Sequence, residues 1–355
     1  MGRPYYIFSS GILRRKDNTL YFESVEANDV FDEEVLCFVG YPDVDDSEGV
    51  SKRKPIPVED VDSIYVFSEI TFNTRFLNFL SQNNILLHVF NYYGFYSGTF
   101  YPREFLNSGR LIVKQVENYI FDDLRLILAR KFVDGSSYNM LRNLKSYMPN
   151  DDLKVYVDAI EEERVKIESC GDISELMACE GHIRNAYYGA WDLITKDDFF
   201  AFDKRTKQPP RNAINALISF GNSMLYTAVL GEIYKTHLNP TISYLHEPSE
   251  RRFSLALDIA ELFKPIIVDR LIFKLINKKQ ISQEDFEVDL NFCYLSEEGR
   301  KKFVKEFNDL VESTIKHRNL GRNVSYRGLI RLECYKLIKH LLGDQDYEPI
   351  KVWWY

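Results

Sequence analysis

The chain has 355 residues, 45% hydrophobic and 28% charged, enough for about two domains that each bury a core. Its 17 glycines and 12 prolines are too few for a collagen-like or broadly disordered chain, and no apolar run reads as a membrane span or an N-terminal signal. Five scattered cysteines without a Cys-x-x-Cys pair exclude a disulfide framework or a zinc knuckle, so a reducing cytoplasm and no membrane partner are expected.

The formal net charge of −8 argues against nucleic acid as a partner until it is mapped. Residues 29–62 carry eleven acids against three bases, which accounts for the whole excess and leaves the rest neutral. Two basic clusters stand in that neutral remainder: Lys204, Arg205, Lys207 and Arg211 around Pro209-Pro210, and Lys316, His317, Arg318, Arg322, Arg327 and Arg331 with no acid among them. Such clusters permit DNA; they are equally at home on a solvated face.

In chain order, residues 1–104 are predicted β-rich. Strands are expected at Tyr5–Phe8, Thr19–Glu23, Ile64–Phe67, Ile85–Phe90 and Phe95–Phe100, with turns at Asp17-Asn18 and Asn91–Gly94. One short helix over 73–83 is expected, capped by Asn73 or Thr71, and an acidic insertion at about 29–58 reads as a surface loop. From about residue 105 the apolar period changes to three and four, which predicts helices near 108–147, 151–168, 172–195, 211–235, 252–277, 297–315 and 325–342. The fold class expected is α+β, a β-rich N-terminal domain (1–104), an all-α-helical domain (105–343) and an aromatic tail (344–355) docked on it.

Polar residues on apolar faces mark candidate chemistry. Glu180 falls within the stripe Ile173, Leu176, Met177, Ile183, Tyr187, Trp191, Ile194, where a carboxylate must be paired, protonated or bound to a cation; an ion pair with Arg184 is one solution. His246 stands in a loop ahead of a helix that Ser254 could cap, and Asp258 and Glu261 share one edge of that helix. One imidazole with two carboxylates suits Mn²⁺ or Mg²⁺, whereas each residue alone also fits a structural hydrogen bond or a solvated edge.

Three blocks carry a family resemblance. Cys179-Glu180-Gly181-His182-Ile183-Arg184-Asn185-Ala186-Tyr187-Tyr188, Asn215–Tyr226, and Tyr244-Leu245-His246 with Ser254–Pro265 resemble the motifs of the CRISPR-associated endonuclease and integrase, the Cas one family. Tyr5–Gly11 and Phe90–Glu104 are similar to its N-terminal part, closest to the type I-B branch. Glu247–Phe253 departs from the Gly-Arg-Pro that relatives usually carry before the serine.

The resemblance implies a β-sandwich domain that dimerises, joined to a helical catalytic domain. It implies Glu180, His246 and Glu261 as catalytic ligands of Mn²⁺ or Mg²⁺, with Asp258 behind them, and assembly of two dimers with a dimer of the small partner Cas two. That complex captures duplex DNA and inserts it into the CRISPR array, the incoming 3′-hydroxyl attacking a repeat-end phosphodiester. Arg184, Arg251, Arg252, Lys264, Arg318, Arg322 and Arg327 are expected to contact DNA phosphates, since they lie near the motifs or in the densest basic stretch. A stand-alone metal-dependent repair nuclease and a non-catalytic DNA-binding scaffold are the alternatives.

Overall fold

A computed structural model describes residues 2–24, 53–148, 151–248 and 253–353. Most of the acidic insertion, Arg251, Arg252 and the last two aromatics of the tail therefore lie outside the described residues. The chain divides into two compact units, Met1–Phe105 and Leu106–Tyr355.

The first unit holds two four-stranded sheets. Strands β1 (Arg3–Ile7), β5 (Val61–Val66), β7 (Leu86–Phe90) and β8 (Tyr96–Phe100) form one in that order; β4 (Arg53–Pro57), β3 (Thr19–Ser24), β2 (Gly11–Lys16) and β6 (Ile70–Phe72) form the other. β1, β5 and β7 run parallel, and β2 pairs antiparallel with β3. One apolar cluster draws on both sheets through Ile7, Leu13, Phe22, Ile64 and Leu87, and on α1 (Thr74–Gln82) through Phe76 and Leu80. Asn73 caps α1, its side chain accepting from Phe76 N at 3.0 Å. β2 escapes the sequence reading because Arg14, Arg15 and Lys16 break its apolar pattern, although Leu13 beneath them is buried.

The second unit is mostly helical. It comprises α2 (Gly109–Ile120), α3 (Asp122–Lys145), α4 (Lys154–Lys166), α5 (Ile173–Gly189), α6 (Asp192–Thr195), α7 (Ala213–Tyr234), α8 (Ser254–Phe263), α9 (Arg270–Asn277), α10 (Glu297–Glu312) and α11 (Tyr326–Leu341). The single helix expected over 108–147 is two, because Phe121 is extended (ψ 109°) and Asp122 and Asp123 open a new first turn where the helix dipole favours acids. An all-helical second domain is also corrected. Two short antiparallel pairs, β9 (Phe286–Val288) with β10 (Cys293–Leu295) and β11 (Thr314–Lys316) with β12 (Asn323–Ser325), are built from runs of three residues, too short to show a period.

α3 packs against α5 and α8, and α7 packs against α8 and α11. By length and composition α7 could cross a membrane, contrary to the expectation from sequence, but 78% of its apolar stretch is buried inside this unit. The tail docks: Tyr347 is 1% exposed and its hydroxyl donates to Glu333 Oε1 at 2.6 Å. Between α8 and α9, residues Lys264–Asp269 form a π-helical stretch with Pro265 in its first turn, a local widening frequent at functional sites.

Candidate active site

Three elements bring the predicted residues together. α5 carries Glu180 and Arg184 one turn apart, so both side chains lie on one face. α8 carries Asp258 and Glu261, and Lys264 follows where α8 passes into the π-helical stretch. The loop before α8 supplies His246.

Asp258 organises that loop. It is fully buried; its Oδ2 accepts from Tyr244 N (2.7 Å) and Leu245 N (3.0 Å), and its Oδ1 from His246 N (3.0 Å). Oδ1 also lies 2.8 Å from His246 Nδ1. A carboxylate on Nδ1 fixes the neutral ring as the Nδ1–H tautomer and leaves the Nε2 lone pair as the outward donor, the arrangement metal-binding histidines use. Nε2 lies 4.0 Å from Glu261 Oε1. Arg125 holds the loop from the other side, donating to Tyr244 O at 2.9 Å and to Glu247 Oε1 at 2.7 Å. The non-consensus Glu247 thus has a partner in α3. Ser254 is not a cap: it is the first helical residue, and its hydroxyl donates to Thr241 O at 2.8 Å.

The two glutamates meet through Arg184. Its guanidinium donates to Glu180 Oε1 at 2.5 Å and also to Glu261 Oε2, while Lys264 donates to Glu261 Oε1. The ion pair with Arg184 and the convergence of the two acids are therefore both present. Burial alone would raise the Glu261 pKa, but Arg184, Lys264 and His246 outweigh it and hold the carboxylate well below its usual range. Burial likewise disfavours the His246 imidazolium, yet Asp258 and Glu261 overcome it and raise that pKa.

Among the described residues, no three His, Cys, Asp or Glu side chains already form a metal cage. The donor chemistry nevertheless fits a hard divalent cation: an oriented imidazole nitrogen, and two carboxylates whose charge is at present met by a guanidinium and an ammonium.

The remaining predicted phosphate contacts divide. Arg318 and Arg322 are exposed, and Arg318 lies 5.6 Å from the Trp353 ring centroid. Arg327 is 9% exposed and its Nε donates to Glu312 Oε1 at 2.6 Å, which ties α11 to the end of α10. Arg331 of the same cluster donates to Glu232 Oε2 at 2.6 Å, an acid 99 residues earlier that no local reading would supply.

Two residues outside the predicted set have charges that act on the site. Burial lowers the Lys207 pKa, and the cations Arg205, Lys264 and Arg184 lower it further. The signal was present as the basic cluster beside Pro209-Pro210, but its place in the fold was not. The other is Asp269, at the end of the apolar run Ile266-Ile267-Val268.

Burial pushes the Asp269 carboxyl up to about 7, against a lowering influence from Arg184. Between about pH 4 and that value the folded protein keeps a proton the unfolded chain has lost, so this group's contribution to stability falls as pH rises through the window. Asp269→Asn removes the charge and is expected to raise the melting temperature, relative to the parent in EDTA, more at pH 8 than at pH 5. An equal difference at the two pH values would contradict this.

The family described as "CRISPR associated protein Cas1" matches residues 5–309. A "CRISPR-associated endonuclease Cas1 3" from Thermodesulfovibrio yellowstonii is 51% identical over 99% of this chain and 100% of its own. A solved CAS1 protein from Thermotoga maritima is 44% identical, with a TM-score of 0.83 over 97% of this chain and 99% of that one. At 18% identity and a TM-score of 0.79, the fold is shared with a casposase bound to integration product, over 99% of this chain and 94% of that one. It is shared at the same values with a Cas6-RT-Cas1–Cas2 complex, of whose chain 36% is covered.

Proposed function

Since this chain belongs to the CRISPR-associated Cas1 family, we propose that Glu180, His246 and Glu261 form the metal-dependent active site of a CRISPR adaptation integrase and endonuclease. The observation that carries the reading is the meeting of Glu180 and Glu261 at Arg184, with His246 Nε2 facing the second of them. Glu180, His246 and Glu261 would hold Mn²⁺ or Mg²⁺, which would supply Lewis acidity toward a phosphoryl oxygen and the attacking hydroxyl.

The chain's own groups do the rest. Asp258 keeps the imidazole turned so that Nε2 points away from it and toward Glu261. Arg184 and Lys264 stand beside the carboxylates, where their charge favours a phosphodiester and the charge that develops on it. In strand transfer, the 3′-hydroxyl of the incoming DNA forms a new P–O bond at the repeat end and gives up its proton to solvent. The P–O bond to the repeat strand's 3′-oxygen breaks, and that oxygen leaves with the bonding pair and takes up a proton from solvent. With water as nucleophile the same arrangement cleaves DNA.

The two sheets of the first unit, sharing one apolar cluster, read as a β-sandwich through which the chain dimerises. Duplex DNA and the small partner Cas two complete the adaptation complex, two dimers of this chain flanking a partner dimer in the cytoplasm.

The test offers a labelled duplex and a leader–repeat target, with partner and Mn²⁺, to the parent and to Glu261→Ala. Label joined to the target by the parent alone is expected. Strands that only shorten would turn the reading to a stand-alone nuclease, and equal behaviour of the two proteins would refute the site.

A further inference from the structure

The face of α3 turned toward α8 is polar where a core helix is ordinarily apolar. Ser136, Asn139 and Asn143 follow at spacings of three and four along one edge, and are 2%, 1% and 0% exposed. Ser136 Oγ donates to Glu261 O at 2.9 Å, Asn139 Nδ2 to Leu262 O at 3.0 Å, and Asn143 Nδ2 to Pro265 O at 3.2 Å. These carbonyls mark the passage from α8 into the π-helical stretch. Pro265 has no N–H to give to the carbonyl four residues back, which is that of Glu261; the Ser136 hydroxyl meets it instead. A buried carbonyl left unmet is costly, so these donors decide where the backbone sits.

Two further contacts make this more than local satisfaction. Gly135 allows the close approach: a Cβ there would lie 2.7 Å from Leu262 Cδ2 and 2.7 Å from Pro349 Cβ. Asn139 also reaches the C-terminal tail, its Nδ2 donating to Ile350 O at 3.0 Å and its Oδ1 accepting from Val352 N at 3.0 Å. One side chain therefore joins the tail to the helix turn that carries Glu261.

We propose that Ser136, Asn139 and Asn143 are positioning residues that set the rotation of Glu261 about the axis of α8, and that the tail, through Asn139, belongs to the same support; this rests on reading Glu261 as a metal ligand. None of the three needs to touch the reacting atoms. Their influence passes through the backbone carbonyls at 261, 262 and 265, where a local change of helical winding would carry the Glu261 carboxylate away from Glu180 and His246.

The experiment measures Mn²⁺ affinity by calorimetry and the melting temperature in EDTA, for the full chain, Ser136→Ala, Ser136→Thr, a chain ending at Pro349, and Glu261→Ala. Ser136→Ala and the shortened chain are expected to melt cooperatively yet bind Mn²⁺ about 10-fold more weakly, the usual size of a loss behind a metal ligand. Ser136→Thr, which keeps the hydroxyl, should restore the parent affinity, as a merely structural role of the serine would not require. Parental affinity in Ser136→Ala, with affinity lost in Glu261→Ala, overturns the positioning role alone. Parental affinity in Glu261→Ala overturns the ligand assignment, and the positioning role with it.

Discussion

Alanine at Glu180, His246 or Glu261 is expected to abolish both strand cleavage and strand transfer, each by more than about 100-fold. The three side chains come from α5, the loop before α8, and α8 itself, so none can substitute for another. The loss should be chemical beyond any fall in stability from broken pairs with Arg184 and Lys264, and a melt with and without Mn²⁺ separates the two. An ion at 100 times its dissociation constant stabilises the parent by about 2.7 kcal/mol, a gain each variant should lack. Asp258→Ala should behave differently. It removes the acceptor of three backbone N–H groups, so it is expected to lower the melting temperature in EDTA more than any of the three, while costing less in chemistry than Glu261→Ala. A His246→Ala protein that integrates DNA at the parental rate in Mn²⁺ would refute the ligand set.

Arg184→Met is expected to have the largest effect on stability in the absence of metal. Arg184 bonds both glutamates, and their side chains are only 16% and 7% exposed. Removing one partner of a buried ion pair leaves uncompensated charge and costs about 3–5 kcal/mol. Here two carboxylates would face each other with only Lys264 and the His246 imidazole left against them. The variant should therefore melt well below the parent in EDTA and recover much of the difference in Mn²⁺, which restores positive charge at the same place. Its Mn²⁺-induced rise should exceed that of the parent. An unchanged melting temperature in EDTA would show that the carboxylates do not depend on Arg184.

The helices of the second unit were legible because long amphipathic segments repeat their period many times over. Glu180 stood out because it interrupts such a stripe, and Asp258 and Glu261 because their spacing places them on one helix edge. That these acids meet was not legible from spacing; it entered with the family resemblance, because convergence depends on how α5 and α8 pack. Arg184 shows the limit well. The sequence reading offered an ion pair with Glu180 as an alternative to a site, whereas the folded chain uses the same guanidinium for both Glu180 and Glu261.

What escaped the sequence has physical reasons. The three-residue strands of β9–β12 carry no period. β2 hides behind three consecutive bases. Arg327 reads as an exposed base because its partner Glu312 stands on the preceding helix, beyond the acid-free stretch. Ser136, Asn139 and Asn143 look like ordinary helix polar residues, and only the carbonyls at 261, 262 and 265 and the tail backbone at Ile350 and Val352 explain why they face inward.

The most direct measurement is the anomalous scattering of manganese in crystals of the parent protein grown with Mn²⁺. One peak at coordinating distance, about 2–2.5 Å, from His246 Nε2 and from an oxygen of both Glu180 and Glu261 is the expected result. Manganese bound elsewhere, with His246 turned away from both carboxylates in every copy, would contradict it.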